Sequence, residues 1–307
     1  MGKLAFVFAG QGAQTVGMGK DLYDSYDSVK KLYDISPEIR DLCFNGPKEQ
    51  LDITINTQPA VFLTDLACVT ALSEKSIRAD GIAGFSLGEV AAACYAGLMS
   101  TSQAFDFVSL RAKAMHECAQ NSKGCMFAVL KLSDEKVKEI CNLLPEAYPV
   151  NYNSPGQIVV ACADSTAEKL QKAILENGGK AIKLAVSGAF HSPFMDTASD
   201  SVADHLENET LGITVIPLYA NISAQTYPSE SQENHAAKEL LAKQINHPVL
   251  WQKTIENMIS DGFDKFIEVG PGKTLTGLIK KINPDVRTYN VSDIQTLENT
   301  AKELENA

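Results

Sequence analysis

The chain has 307 residues, 45% hydrophobic and 21% charged, with a formal net charge of −11. That balance suits a soluble globular protein with a sizeable core, arranged as one large domain or two ordinary ones. It argues against general nucleic-acid binding, which needs positive potential, while leaving room for a local basic patch that docks an acidic partner. The seven cysteines are odd in number and form no CxxC pair, and several sit in apolar runs such as Leu66-Ala-Cys-Val69, so they read as small core residues of a reducing compartment. Neither a secretory signal nor the ~18 consecutive apolar residues of a membrane span is recognisable, and a cytoplasmic protein is expected.

In chain order, Leu4–Ala9 reads as a buried strand, apolar throughout, followed by a loop at Gly10-Gln-Gly-Ala-Gln14. Helices are predicted over Lys20–Tyr33 and Gln58–Glu74, a short strand over Gly81–Gly84, then helices over Leu87–Gly97 and Ser102–Gln120. The alternation implies an α/β fold with a largely parallel sheet. The middle differs. Met126–Leu132, Tyr148–Tyr152, Gln157–Ala163 and Lys180–Val186 read as strands. Ser133–Leu144, with Ser133 as N-cap, and Thr166–Asn177 read as helices. The turn former Asn153-Ser-Pro-Gly156 joins the second and third strands. That order, βαββαβ, is ferredoxin-like. It predicts a small subdomain at 123–187 inserted in a larger domain of residues 1–122 and 188–307. Ile213–Ala220 and Lys265–Val269 read as further strands of the larger domain, with a sharp turn at Gly270-Pro-Gly272 before a helix. The last dozen residues read as a polar helical tail.

Gly84-Phe-Ser-Leu-Gly88 matches G-x-S-x-G between a predicted strand and a predicted helix. A nucleophile elbow holds its serine in a strained conformation, with neighbouring turns so close that side chains two residues away would clash. The turn exposes Ser86 at a helix N-terminus, where backbone N–H groups can stabilise an oxyanion. The five-residue pattern is short, and a plain Gly-rich strand-to-helix turn also fits it. A nucleophilic serine needs a base. Among the five histidines, His191 lies on a loop after a strand, with Ser192 as a candidate N-cap and Pro193 suited to the first helical position. The positive helix end there disfavours imidazolium and leaves a ring able to accept a proton. A loop histidine with a local hydrogen bond fits equally.

Arg111 falls on the helix Ser102–Gln120 with Ala104, Phe107, Val108, Ala114, Met115 and Cys118 as same-face neighbours, all apolar. A buried guanidinium requires an anion. The partner is either an internal carboxylate or a substrate carboxylate held bidentately.

With these residues in place, the chain resembles the malonyl-CoA:acyl carrier protein transacylases and the related acyltransferase domains of fatty acid and polyketide synthases. The resemblance rests on many motifs in order over nearly the whole chain. They are Phe8-Ala-Gly-Gln-Gly-Ala-Gln14, Asn56-Thr-Gln-Pro-Ala60, Gly84-Phe-Ser-Leu-Gly-Glu89, Arg111, Asn153-Ser-Pro-Gly-Gln157, Gly188-Ala-Phe-His191, Gln244-Ile-Asn-His-Pro-Val249 with Trp251, and Glu268-Val-Gly-Pro-Gly-Lys273. It implies an α/β-hydrolase-like parallel-sheet domain with the inserted ferredoxin-like subdomain. It implies transfer of malonyl from malonyl-CoA to the phosphopantetheine thiol of holo acyl carrier protein, through a malonyl-serine ester, in fatty acid chain elongation. No permanently bound cofactor and no metal are expected, and a monomer is. Ser86 is then the nucleophile, His191 the base, and the Gln11 and Leu87 amides the oxyanion hole. Arg111 clamps the malonate carboxylate, Met115 lines the acyl pocket, Gln244 orients His191 through its carbonyl, and Phe190 crowds a methyl branch.

Two positions depart from the family pattern. Ala9 stands where proline is usual, and Phe85 stands where histidine usually precedes the serine. Rival readings are a serine hydrolase or thioesterase, a silent carrier-binding scaffold, and a free-standing acyltransferase of a polyketide synthase. The hydrolase normally orders its triad Ser, acid, His, and no acid stands out between Ser86 and His191.

Overall fold

In the computed structural model, which describes residues 2–229 and 234–306, two sheets organise the chain. The strands are β1 (Lys3–Phe8), β2 (Gly81–Gly84), β3 (Gly124–Leu130), β4 (Ala147–Ser154), β5 (Gln157–Ala163), β6 (Lys180–Lys183), β7 (Leu218–Tyr219), β8 (Phe263–Val269) and β9 (Arg287–Val291). The first sheet is wholly parallel, in the order β7-β2-β1-β8-β9. Its central strand shows why a parallel sheet needs cover on both faces. Phe6 and Phe8 enter one core with the helices Thr54–Glu74 and Thr101–Asn121, while Ala5 and Val7 enter another with the helices Trp251–Ser260 and Thr274–Ile282.

The second sheet is antiparallel, in the order β4-β5-β3-β6, and arises from βαββαβ connectivity, the expected ferredoxin-like arrangement. Its helices, Asp134–Asn142 and Ala167–Glu176, bury Val137, Ile140, Leu170 and Ile174 against Phe127, Ile158 and Val160. Ser133 caps the first of them by accepting from the Lys136 N–H. The segment leading into the helix Trp251–Ser260 bridges to β4, where Val249 N–H donates to Val150 O at 2.8 Å and Tyr152 N–H to Val249 O at 2.9 Å.

Several boundaries differ from the sequence expectation. Ile213–Ala220 is extended sheet only at Leu218–Tyr219. Upstream, Gly212 and Val215 donate to Leu98 O and Ala96 O, so the segment crosses the end of the helix Gly88–Tyr95 instead of joining the ladder. Pro217 has no N–H for a ladder, and Val215 is left 74% exposed. The helix predicted over Lys20–Tyr33 breaks at Tyr26, which is extended, into Lys20–Ser25 and Asp27–Tyr33. The helix predicted from Gln58 begins at Thr54, which places Pro59 inside it and leaves the Ile55 carbonyl without its usual donor. The last strand of the smaller sheet stops at Lys183. Strand β9 and the helices Pro37–Asn45, Asn234–Lys243 and Trp251–Ser260 were not anticipated. The tail is helical over Ile294–Glu305, and Ala307 lies outside the described residues. Among the described residues no helix is long and apolar enough to cross a membrane.

Candidate active site

Strand β2 ends at Gly84, the helix Gly88–Tyr95 begins at Gly88, and Ser86 lies between them at φ 52°. Steric closeness accounts for both glycines. A Cβ on Gly84 would fall 2.0 Å from the Gly88 carbonyl carbon, and one on Gly88 would fall 2.3 Å from the Phe8 oxygen. The serine conformation and both clashes fit a nucleophile elbow.

His191 is 3% exposed and also has positive φ, 60°. Its Nε2 lies 2.7 Å from Ser86 Oγ and its Nδ1 2.8 Å from the Gln244 carbonyl oxygen. A carbonyl only accepts, so Nδ1 carries the proton and Nε2 is free to accept from the serine hydroxyl. Burial, and then the Arg111 charge, pulls the His191 pKa down to about 4, which keeps the ring neutral at physiological pH. The neutral ring was expected, but from a helix end. A 3-10 turn, Pro193–Met195, does follow it and runs into the helix Asp196–Glu207, but the Ser192 hydroxyl donates back to Ala189 O rather than capping.

The helix carrying Arg111 starts from a capping box between Ser100 and Gln103. Its buried stripe runs through Ala104, Phe107, Val108, Arg111, Ala112, Met115 and Ala119, while Ala114 and Cys118 are half-buried. Arg111 is 1% exposed. It donates to Gln58 Oε1 at 2.6 Å, Gln244 Oε1 at 2.8 Å and Ser86 Oγ at 3.4 Å, and its Nε has no acceptor. Among the described residues no carboxylate lies within 4.0 Å of the guanidinium, so the internal ion pair weighed above is not formed. Burial lowers its pKa to about 10 and leaves it charged at neutral pH.

Gln244 ties these parts together. Its backbone oxygen holds His191, its side-chain oxygen holds Arg111, and its side-chain amide donates to the Ser86 carbonyl. Met115 is buried with its sulfur 3.4 Å from Gln58 Nε2, and Phe190 is buried in the same core. The loop Gly10–Gln14 packs on the elbow, since a Cβ on Gly10 would fall 2.6 Å from the Phe85 oxygen. Among the described residues the Gln11 and Leu87 amides donate to no acceptor. Phe85 stacks edge-on against Trp251, centroids 5.4 Å apart. With Gln11 it lines a cleft of about 510 Å³ whose far wall comes from the antiparallel sheet at Asn151, Asn153 and Gln157.

Four polar residues at the site escaped the sequence reading. Gln58 and Glu89 stand inside motifs quoted above, but no role pointed to them. Asn221 follows β7, at the carboxyl end of a parallel strand where functional groups gather, and that position was its only signal. Tyr227 had none. Glu89, buried, accepts from the Tyr227 hydroxyl at 2.6 Å and from the Asn221 N–H, and burial pushes its pKa up to about 7.

Known proteins resemble this chain over nearly its whole length. Residues 5–300 match the acyl transferase domain family. The malonyl CoA-acyl carrier protein transacylase of Bacillus subtilis is 36% identical, over 97% of this chain and 96% of its own, and that of Escherichia coli K12 is 34% identical over 92% and 93%. The crystal structure of the Clostridium perfringens transacylase superposes with a TM-score of 0.94 at 38% identity, covering 99% of this chain and 98% of that one. A malonyl-transacylase in complex with its type II PKS acyl-carrier protein superposes at 0.92 and 32% identity, covering 98% and 99%. The chain belongs to the acyl transferase domain family, among the malonyl CoA-acyl carrier protein transacylases.

Proposed function

We propose that this chain transfers malonyl from malonyl-CoA to the phosphopantetheine thiol of an acyl carrier protein through a malonyl ester on Ser86, as a step that supplies fatty acid chain elongation. The observation that carries the reading is a buried, charged Arg111 that, among the described residues, has no carboxylate in contact, its guanidinium 3.4 Å from a serine that is hydrogen-bonded to a neutral histidine. A hydrolase of neutral esters has no use for that cation.

His191 Nε2 takes the proton of Ser86 as Oγ attacks the thioester carbon. The oxyanion settles on the Gln11 and Leu87 amides. The C–S bond breaks and the departing sulfur takes the proton from His191. In the second half the carrier thiol gives its proton to His191, its sulfur attacks the ester carbon, and Ser86 leaves with that proton. Arg111 holds the free carboxylate of the malonyl group beside Met115 and Phe190. Asn151, Asn153 and Gln157 line the cleft wall with side-chain amides, a chemistry suited to the amide groups of a pantetheine arm. The division into residues 1–122 with 188–307 and an inserted 123–187 places chemistry in the first part and a cleft wall in the second. The enzyme acts as a monomer in the cytoplasm.

Intact-protein mass after brief mixing with malonyl-CoA tests the reading. A malonyl adduct that maps to Ser86 and is missing from Ser86→Ala supports it. An adduct elsewhere, or none, refutes it.

A further inference from the structure

We propose that Asn221 is a positioning residue for this acyl transfer, clamping the nucleophile elbow across Ser86. The inference rests on the reading of Ser86 as nucleophile and goes beyond it, because Asn221 touches no reacting atom.

The elbow is a strained turn. Ser86 at φ 52° is a non-glycine residue in the left-handed region, a conformation that persists only where the surroundings over-determine it. Neither peptide unit flanking the serine is left loose. Asn221 Oδ1 accepts the Ser86 N–H at 2.7 Å, and Asn221 Nδ2 donates to the Gly84 carbonyl at 2.6 Å. One planar carboxamide thus spans the turn, with an acceptor on one side and a donor on the other. The Ser86 carbonyl is held separately by the Gln244 amide.

The clamp is itself anchored. Asn221 is 1% exposed, and its N–H points at both oxygens of Glu89 at 3.3 Å. Glu89 is held in turn by the Tyr227 hydroxyl at 2.6 Å. Leu250 N–H donates to the Asn221 carbonyl at 2.9 Å, tying the same residue to the segment that leads out of Gln244. Asn221 therefore joins the serine and histidine sides of the site, which lie 105 residues apart in sequence. Because its side chain occupies the Ser86 N–H, that amide is withheld from the oxyanion and the next one, Leu87, is left to serve it.

Rapid-quench measurement of Ser86 acylation by malonyl-CoA separates positioning from mere folding, since the burst amplitude counts folded sites and the rate constant reports their geometry. Asn221→Ala is expected to slow the rate constant about 10²-fold, the cost of a roughly 1 Å misplacement, with little change in the half-saturating malonyl-CoA concentration. A wild-type rate constant with reduced amplitude would make Asn221 structural only and overturn the clamp. Asn221→Asp keeps the inference testable if the alanine variant fails to fold. Ionised, it loses the donor to Gly84. Protonated, its carboxyl offers both an acceptor and a donor. Its rate relative to wild type is expected to rise as pH falls, and a ratio independent of pH would contradict the clamp. A wild-type protein that never acylates on Ser86 overturns the nucleophile reading and the clamp together, whereas normal wild-type acylation with unaffected variants overturns the clamp alone.

Discussion

The two sheets treat strain in opposite ways. In the antiparallel sheet, the non-glycine residues with positive φ are Lys131 and Glu146, both exposed, both at turns, and both without a partner in the chemistry. In the parallel body they are Ser76 at an exposed turn, buried Ala224, and Ser86 and His191, which face each other across 2.7 Å, the histidine buried and the serine half-buried. A turn at the surface costs little to relax. A strained residue in the interior persists because buried partners hold it, and Asn221, Gln244 and the crowded glycines at 84 and 88 are those partners. The smaller sheet contributes shape, as a cleft wall over a conventional apolar core. The body contributes preorganised polarity.

That contrast can be broken experimentally. The largest effect is expected from His191→Ala, which removes the proposed base and should lower the acylation rate by about 10⁴-fold or more without unfolding the protein. Circular dichroism and quench-flow on the same sample check both halves. Arg111→Ala comes next. A charged hydrogen-bonded contact is worth about 1.5–3 kcal/mol, so malonyl over acetyl preference should drop by roughly 10- to 150-fold. Arg111→Lys should not restore it, because the paired planar donors are lost. Competition between the two acyl-CoA thioesters measures the ratio.

The pH profile sharpens the same point. A base works only while neutral, so kcat/KM for malonyl-CoA should stay level as pH falls and drop only near the free-enzyme His191 pKa of about 4. The Arg111 charge helps to hold that pKa down. Pairing Arg111 with a malonyl carboxylate weakens this influence, so the acidic limb of kcat should lie at higher pH than that of kcat/KM. With acetyl-CoA the two limbs should stay together. Phe190→Ser should admit a methyl-branched malonyl group, with a gain of about 10-fold or more, near the low end of the value of a single methylene in an apolar pocket. At the small end for chemistry stands Leu170→Ala in the antiparallel sheet's core. It should cost about 2–5 kcal/mol of stability yet leave the malonyl/acetyl ratio of the folded enzyme unchanged. A shifted ratio would mean that the smaller sheet does more than supply a wall.

What was legible in the sequence follows the same division. Strand β2 and strand β5 were bounded to the residue because short apolar runs ended at glycine or turn residues. The βαββαβ order was readable from alternating local signals. The segment before β7 misled because its apolar residues cross a helix end, a tertiary circumstance that periodicity cannot carry. Ser86 and Arg111 announced themselves by local pattern, the one by flanking glycines and the other by its place in an apolar stripe. The role of His191 took its weight from resemblance, since a histidine on a loop has no period. Asn221 and Tyr227 act through bonds to residues more than 130 positions away, and no local pattern encodes such partners.

The central claim is that the enzyme holds its acyl group for a thiol and not for water. Partition of the isolated malonyl-enzyme tests it most directly, by following the Ser86 adduct over time with and without holo acyl carrier protein. The adduct is expected to persist in buffer and to transfer stoichiometrically to the carrier's phosphopantetheine. Decay to free malonate at the same rate with or without the carrier would contradict it.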